Sequence, residues 1–160
     1  MPTAIVLSLL AHTRHGYRPK NLVLAGAKDG RWRGVPVSEA AQLVPGLLVY
    51  RFTHSMYYAN AEFLSDQIRS LVDKAQPPLS WFCIDAGAID DVDFTAAETL
   101  LVIAGFLRKN GIRLVLAEVA GDVKDELDRS GITDVIGEAA YYPTVSDAVK
   151  DYRSRTAARC

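Results

Sequence analysis

The sequence predicts an α/β fold on a parallel or mixed sheet, and three observations predict it. Short apolar runs alternate with segments of helical length, in the order β-α-β-α-β-α. The clearest unit, Leu79 to Gly111, joins a six-residue apolar run to a long apolar segment through an acidic loop. Pro45-Gly46, Pro77-Pro78 and Asn110-Gly111 punctuate the units, as turn and helix-stop residues do. With 160 residues, 49 % hydrophobic and 23 % charged, the chain has the length of one domain and enough apolar material for a packed core.

Taken in order, the first segment is the least like the rest. Ala4 to Ala11 is an apolar run of eight residues, and it passes into the basic stretch His12 to Lys20. A membrane helix emerging on the cytoplasmic side has that order, and so does a short amphipathic helix or a loose terminus. Eight residues fall short of the roughly 20 that span a bilayer, and no charged region precedes them as in a signal peptide. Asn21 to Gly26 suits an edge strand, Lys28 to Gly34 is polar and turn-rich, and residues 12–46 together read as an arm with little core.

Leu47 to Phe52 is a strand by composition, with Arg51 leaving the core. Met56 to Ala59 extends again after a turn. Asn60 is placed to cap a helix whose apolar face is Leu64, Ile68, Leu71, Val72 and Ala75, ended by Pro77-Pro78. The run Leu79 to Ile84 reads as a strand buried on both faces, and Thr95 to Lys109 as the helix after it. Ile112 to Val119 is a further strand, Val123 to Arg129 a short helix closed by Gly131, and Val135-Ile136 a small strand. Thr144 caps the last helix, with Asp147 in capping-box position and Val145, Ala148, Val149 and Tyr152 on its apolar face.

The net charge of −1 gives no footprint for nucleic acid. Residues 1–46 carry six Lys and Arg against two Asp and Glu, whereas residues 47–160 carry twelve against seventeen. Two cysteines, one in a core strand and one at the last position, are not a disulfide framework, which favours a reducing compartment.

Candidate chemistry concentrates in the loop between Ile84 and Thr95, where open α/β sheets bind ligands. A helix start carries unsatisfied N–H groups and suits an anion. Asp85, Asp90, Asp91 and Asp93 offer hard oxygens for a divalent ion, although solvation and capping are the common reasons for such a loop. Thr95-Ala96-Ala97-Glu98 has the form of a capping box, so Thr95 is either a helix cap or a phosphoacceptor or ligand contact. Asp91-Val92-Asp93-Phe94-Thr95 matches a phosphatase nucleophile motif, but Asp91 stands seven positions after Ile84 where that chemistry needs it directly after the strand. No Walker or dinucleotide glycine motif occurs, and the three histidines lack metal spacing with the cysteines. No catalytic or metal residue is assigned, and no enzymatic activity is expected.

Pro45 to Phe52, followed by Tyr57-Tyr58-Ala59-Asn60-Ala61-Glu62-Phe63, resembles the opening of the STAS domain of SulP-family anion transporters. The resemblance continues through Ile112 to Ala117 and Tyr142 to Ala148, and it covers about residues 20–158. It implies a mixed, mostly parallel sheet of four to five strands with about four helices mainly on one face. Residues 1–19 then correspond to the end of the last membrane helix and its basic cytoplasmic exit, and residues 20–158 to the domain itself.

The function implied is a carboxyl-terminal regulatory and interaction domain on the cytoplasmic face of the membrane, in a secondary-active transporter of sulfate or a related anion. Its implied partners are the membrane part of the same transporter, a second copy through that transporter and a cytosolic protein. The alternative is a free-standing phosphoswitch like an anti-sigma-factor antagonist. That branch opens the second helix with Asp-Ser-Ser-Gly, where this chain has Asp93-Phe94-Thr95-Ala96. The resemblance also implies GTP or ATP as a candidate ligand, with Phe52, Thr53, Asp90, Asp93, Phe94, Thr95, Ala96 and Glu118 around it.

Overall fold

The structure, a computed structural model, describes residues 18–26 and 31–158. Six strands form one sheet: β1 (Leu22–Gly26), β2 (Trp32–Pro36), β3 (Leu47–Arg51), β4 (Trp81–Asp85), β5 (Arg113–Ala117) and β6 (Tyr141–Tyr142). Their spatial order is β2-β1-β3-β4-β5-β6. Strands β3 to β6 are parallel, while β1 runs antiparallel to both β2 and β3. The helices are α1 (Tyr58–Asp73), α2 (Phe94–Lys109), α3 (Gly121–Arg129), α4 (Ile132–Ile136) and α5 (Val145–Ala157).

The central strands are buried on both faces because their side chains alternate between two cores. Leu48, Tyr50, Phe82, Ile84, Leu114 and Leu116 face α1 to α4. Leu47, Val49, Trp81, Cys83, Val115 and Ala117 face α5. Helix α2 buries Ala96, Leu100, Ile103 and Leu107, spaced three and four apart on one side. Arg69 of α1 stacks on Phe106 of α2, with its guanidinium 4.4 Å from the ring centre.

The amino-terminal part departs from the expected loose arm. Val23 is fully buried and Leu24 nearly so, and β1 lies inside the sheet rather than at its edge. The edge is β2, hidden in the sequence because Val35 alone of its five residues is buried. Asn21 locks this region down. Its Nδ2 donates to Tyr50 Oη at 2.7 Å and to Gln67 Oε1 at 2.8 Å, and Tyr50 Oη donates to the same Gln67 oxygen at 2.7 Å. The expected membrane-helix end and basic exit lie outside the described residues, apart from Arg18 and Pro19. Residues 28–30 of the predicted Lys28–Gly34 turn and Cys160 also lie outside them, and Trp32 to Gly34 belong to β2 rather than to a turn.

Two further expectations are corrected. Val135 and Ile136 belong to α4, and the small strand is Tyr141–Tyr142 beside β5. Helix α1 starts three residues early: Tyr57 is the N-cap, and Asn60 acts from the first turn, with its Oδ1 accepting from Tyr57 N–H at 3.0 Å. Thr144 caps α5 as expected, accepting from Asp147 N–H at 3.1 Å.

Candidate functional site

The β4–α2 loop is held against the β3–α1 loop by main-chain bonds. Met56 N–H donates to Asp91 O at 2.9 Å, and Asp93 N–H donates to Met56 O at 2.9 Å. Both flanking apolar side chains, Met56 and Val92, are buried and anchor this bridge. The amino ends of α1 and α2 therefore open side by side.

The residue that caps α2 is Asp93, not Thr95. Asp93 Oδ1 accepts from Ala96 N–H at 2.8 Å, and its Oδ2 accepts from Tyr58 N–H in the first turn of α1 at 2.8 Å. A carboxylate has two oxygens for two helix starts and a charge that suits both dipoles, so it displaces a hydroxyl in this role. Thr95 is one position inside the helix, exposed, and its hydroxyl makes no hydrogen bond among the described residues. The Thr95–Glu98 capping box is not formed.

The four aspartates of the loop turn to different tasks. Asp85 is buried and accepts from Arg51 Nε at 2.7 Å and from Gly87 N–H at 3.1 Å. Asp90 accepts from the Ser55 hydroxyl, and Asp91 Oδ1 from the next residue's N–H at 2.9 Å. Among the described residues, no three acidic, histidine or cysteine side chains converge as a metal would need.

The predicted ligand residues divide by exposure. Phe52 and Ala96 have no exposed surface, so their side chains serve the core. Thr53 is half-buried and donates to Lys20 O at 3.3 Å. Phe94 is 68 % exposed, and beside it stand Tyr58 at 69 % and Tyr57 at 41 %. Asp90 and Thr95 share that exposed rim. Glu118 stands at φ 60° with its N–H donating to Tyr142 O at 3.1 Å and its carboxylate against Gly87 of the β4–α2 loop. It lines a cavity of about 520 Å³ with Arg51, Trp32 and Val145 on the α5 side of the sheet.

The aromatic rim was missed because Tyr57 and Tyr58, β-prone residues, read as extended chain. Their place in the sequence before a helical repeat was the available signal. The arrangement presents exposed rings, carboxylates and the unbonded Thr95 hydroxyl. Each of its aspartates already accepts a hydrogen bond, Asp90 from the Ser55 hydroxyl and the others from N–H groups.

Cys83, on the α5 face of β4, is buried, and burial pushes its thiol pKa up, helped by the Asp85 and Glu118 carboxylates. It is therefore a structural side chain rather than a reactive one.

Residues 40–148 match the family model for the STAS domain. A probable sulfate transporter of Mycobacterium tuberculosis is 31 % identical over 158 residues, covering 95 % of this chain and 27 % of the relative. High affinity sulfate transporter 2 of Stylosanthes hamata is 27 % identical over 151 residues, covering 88 % of this chain and 23 % of the relative. The chain thus spans about a quarter of the length of these curated relatives. Among solved structures, the murine anion transporter Slc26a9 in its inward-facing state superposes with a TM-score of 0.77 at 17 % identity. The match covers 96 % of this chain and 25 % of that one. That likeness establishes the fold.

Proposed function

The chain belongs to the STAS domain family, and from that premise we propose that it is the regulatory and interaction domain of a sulfate or related anion transporter. The observation that carries the proposal is the alignment of nearly the whole chain, at 31 % identity, with about a quarter of a probable sulfate transporter. In this reading residues 1–19 continue from the last membrane helix and residues 20–158 form the domain. The domain lies at the cytoplasmic face and works against the membrane part of the same polypeptide, a second copy and a cytosolic protein. Anion selectivity belongs to the membrane part. The domain regulates and does not itself catalyse.

The exposed rim at the amino ends of α1 and α2 is the contact surface in this reading. Its rings and carboxylates suit a protein partner, and Thr95, exposed and unbonded, suits a phosphoacceptor. A purine nucleotide would stack its base on Phe94 or Tyr58 and place its phosphates at the start of α2. Asp90, Asp91 and Asp93 oppose those phosphates, so binding is weak and gains from a divalent ion.

The test is sulfate uptake by cells lacking their own sulfate permease and expressing the full-length protein that contains this chain. Deleting residues 20–158 is expected to abolish or deregulate uptake while the truncated protein still reaches the membrane. Unchanged uptake and unchanged regulation would overturn the proposal.

A further inference from the structure

The two ends of the sheet differ in their charged residues. Asp85, Asp90, Asp91, Asp93 and Glu118 gather at the carboxyl ends of the parallel strands. At the amino ends the cavities are basic instead. One of about 490 Å³ is lined by Arg108 and Arg113, and a neighbouring one of about 250 Å³ by Arg113 and Arg155, with Gly111 between them.

The smaller cavity is built around Trp81. The Arg113 guanidinium lies 4.9 Å from the indole centre and that of Arg155 lies 6.0 Å from it. Tyr152 meets the same indole edge-on, with ring centres 5.4 Å apart. Stacking on a fixed ring restrains two guanidinium forks that would otherwise move freely. Arg113 spends Nη2 on Ala139 O at 3.0 Å, and Arg155 spends Nε on both oxygens of Asp151 at 3.0 and 2.9 Å. Their other N–H groups have no partner among the described residues. The hydroxyls of Ser80, Tyr152 and Thr156 complete the lining, each already donating to a main-chain carbonyl.

Charge favours an anion here. Asp151 neutralises one arginine. The carbonyl ends of α2 and α5 bring about half a negative charge each, and Arg108 and Lys109 in the last turn of α2 offset that of α2. The surplus is positive, and it is carried by two guanidinium groups that both line the cavity, the donor type that suits a tetrahedral oxyanion.

We propose that the Trp81–Arg113–Arg155 cavity binds a dianionic oxyanion of the sulfate or phosphate class. The same group occurs free in solution and on lipid headgroups. The free ion is the occupant here, because the chain enters the domain at the far end of the sheet. Residues 20 and 21 bond to Thr53, beyond the carboxyl end of β3. A membrane reached through that entry lies away from the cavity. The site does not depend on the rim or on Thr95.

The experiment uses the 160-residue chain with Trp32→Phe, so that Trp81 is the one remaining tryptophan. Its fluorescence is followed during titration with sodium sulfate and with sodium phosphate, ionic strength being held constant with chloride. A saturable change is expected with both anions. Arg113→Gln and Arg155→Gln should each weaken it about tenfold, the loss of one charge-assisted hydrogen bond. Arg153→Gln, the same charge change on the same helix outside the cavity, should leave it unaltered. Arg155 is exposed, so its variant decides the matter if Arg113→Gln fails to fold. No saturable response, or an equal loss with Arg153→Gln, would overturn the site. Co-sedimentation with phosphatidate vesicles forms the second arm. Vesicle binding that needs both arginines, without any response to free anions, would reject the free ion in favour of a headgroup.

Discussion

Asp93 and Tyr58 lie 35 residues apart in the chain, yet the Asp93 carboxylate accepts the Tyr58 N–H at 2.8 Å while its other oxygen caps α2. One side chain thus sets the spacing of two helix starts and the position of the exposed Tyr58 and Phe94 rings. Asp93→Ala removes both bonds and should cost more than the roughly 0.5–2 kcal/mol of a single cap. Asp93→Asn, which keeps an acceptor oxygen, should cost less. Thr95→Ala should change stability by less than about 0.5 kcal/mol, as for an exposed residue without partners. Urea melting of the three variants checks the order, and a larger loss for Thr95→Ala than for Asp93→Ala would return the cap to Thr95.

If Thr95 accepts a phosphoryl group, Thr95→Asp should keep the melting profile and change anion uptake by the full transporter. A phosphate adds about −1.5 to −2 charges beside Asp90, Asp91 and Asp93, and repulsion would reshape the rim. Uptake identical for Thr95→Asp, Thr95→Ala and the parent chain would leave Thr95 without a regulatory role.

For the nucleotide, NMR titration with GTP and ATP should move resonances at 52–54, 88–97 and 117–119, and magnesium should tighten the weak binding. Phe94→Ala should weaken it by about 1–3 kcal/mol if the base stacks there. Shifts confined to other regions would reject the site.

A pH dependence follows from Tyr142, whose hydroxyl donates to Asp151 at 2.6 Å. Burial first, and then this bond to a carboxylate, push its pKa from 10 up to about 12. The folded pKa is above the unfolded one, so the stabilisation is complete below pH 10 and disappears as pH rises through about 12. Asp151 moves the other way, held below its ordinary value by the Tyr142 hydroxyl and then by Arg155. The difference in stability between the parent chain and Tyr142→Phe should therefore shrink between pH 10 and 12. A constant difference across that range would show that the phenol does not titrate in this way.

Asn21 tests whether the amino-terminal strands belong to the core. Asn21→Ala removes the donor to Tyr50 Oη and Gln67 Oε1 and takes the acceptor from Thr53 N–H, and should cost about 1–3 kcal/mol. Deleting residues 1–17 should leave the melting transition in place, whereas deletion through residue 36 should abolish it, because β1 and β2 leave with it. Cooperative melting after the longer deletion would mean that the remaining four strands suffice.

The parallel strands and their helices were legible in the chain because their signals are local. Leu47 to Phe52 and Leu79 to Ile84 are apolar runs bounded by turn residues, the apolar spacing of 96–107 has a helical period, and Thr144 with Asp147 is a cap written within four residues. Strand β2 was not legible, since an edge strand with one buried side chain carries almost no apolar pattern; pairing with β1 makes it a strand. Val135-Ile136 had strand composition and became helix because Gly131 starts a helical turn packed under α2 and α3. Thr95 matched a capping box by spacing, but the cap went to Asp93, whose geometry depends on a helix 35 residues away. The gathering of Trp81, Arg113 and Arg155 from three elements came only with the tertiary structure. Local pattern specifies which segments bury a face, whereas long-range packing decides which polar groups meet.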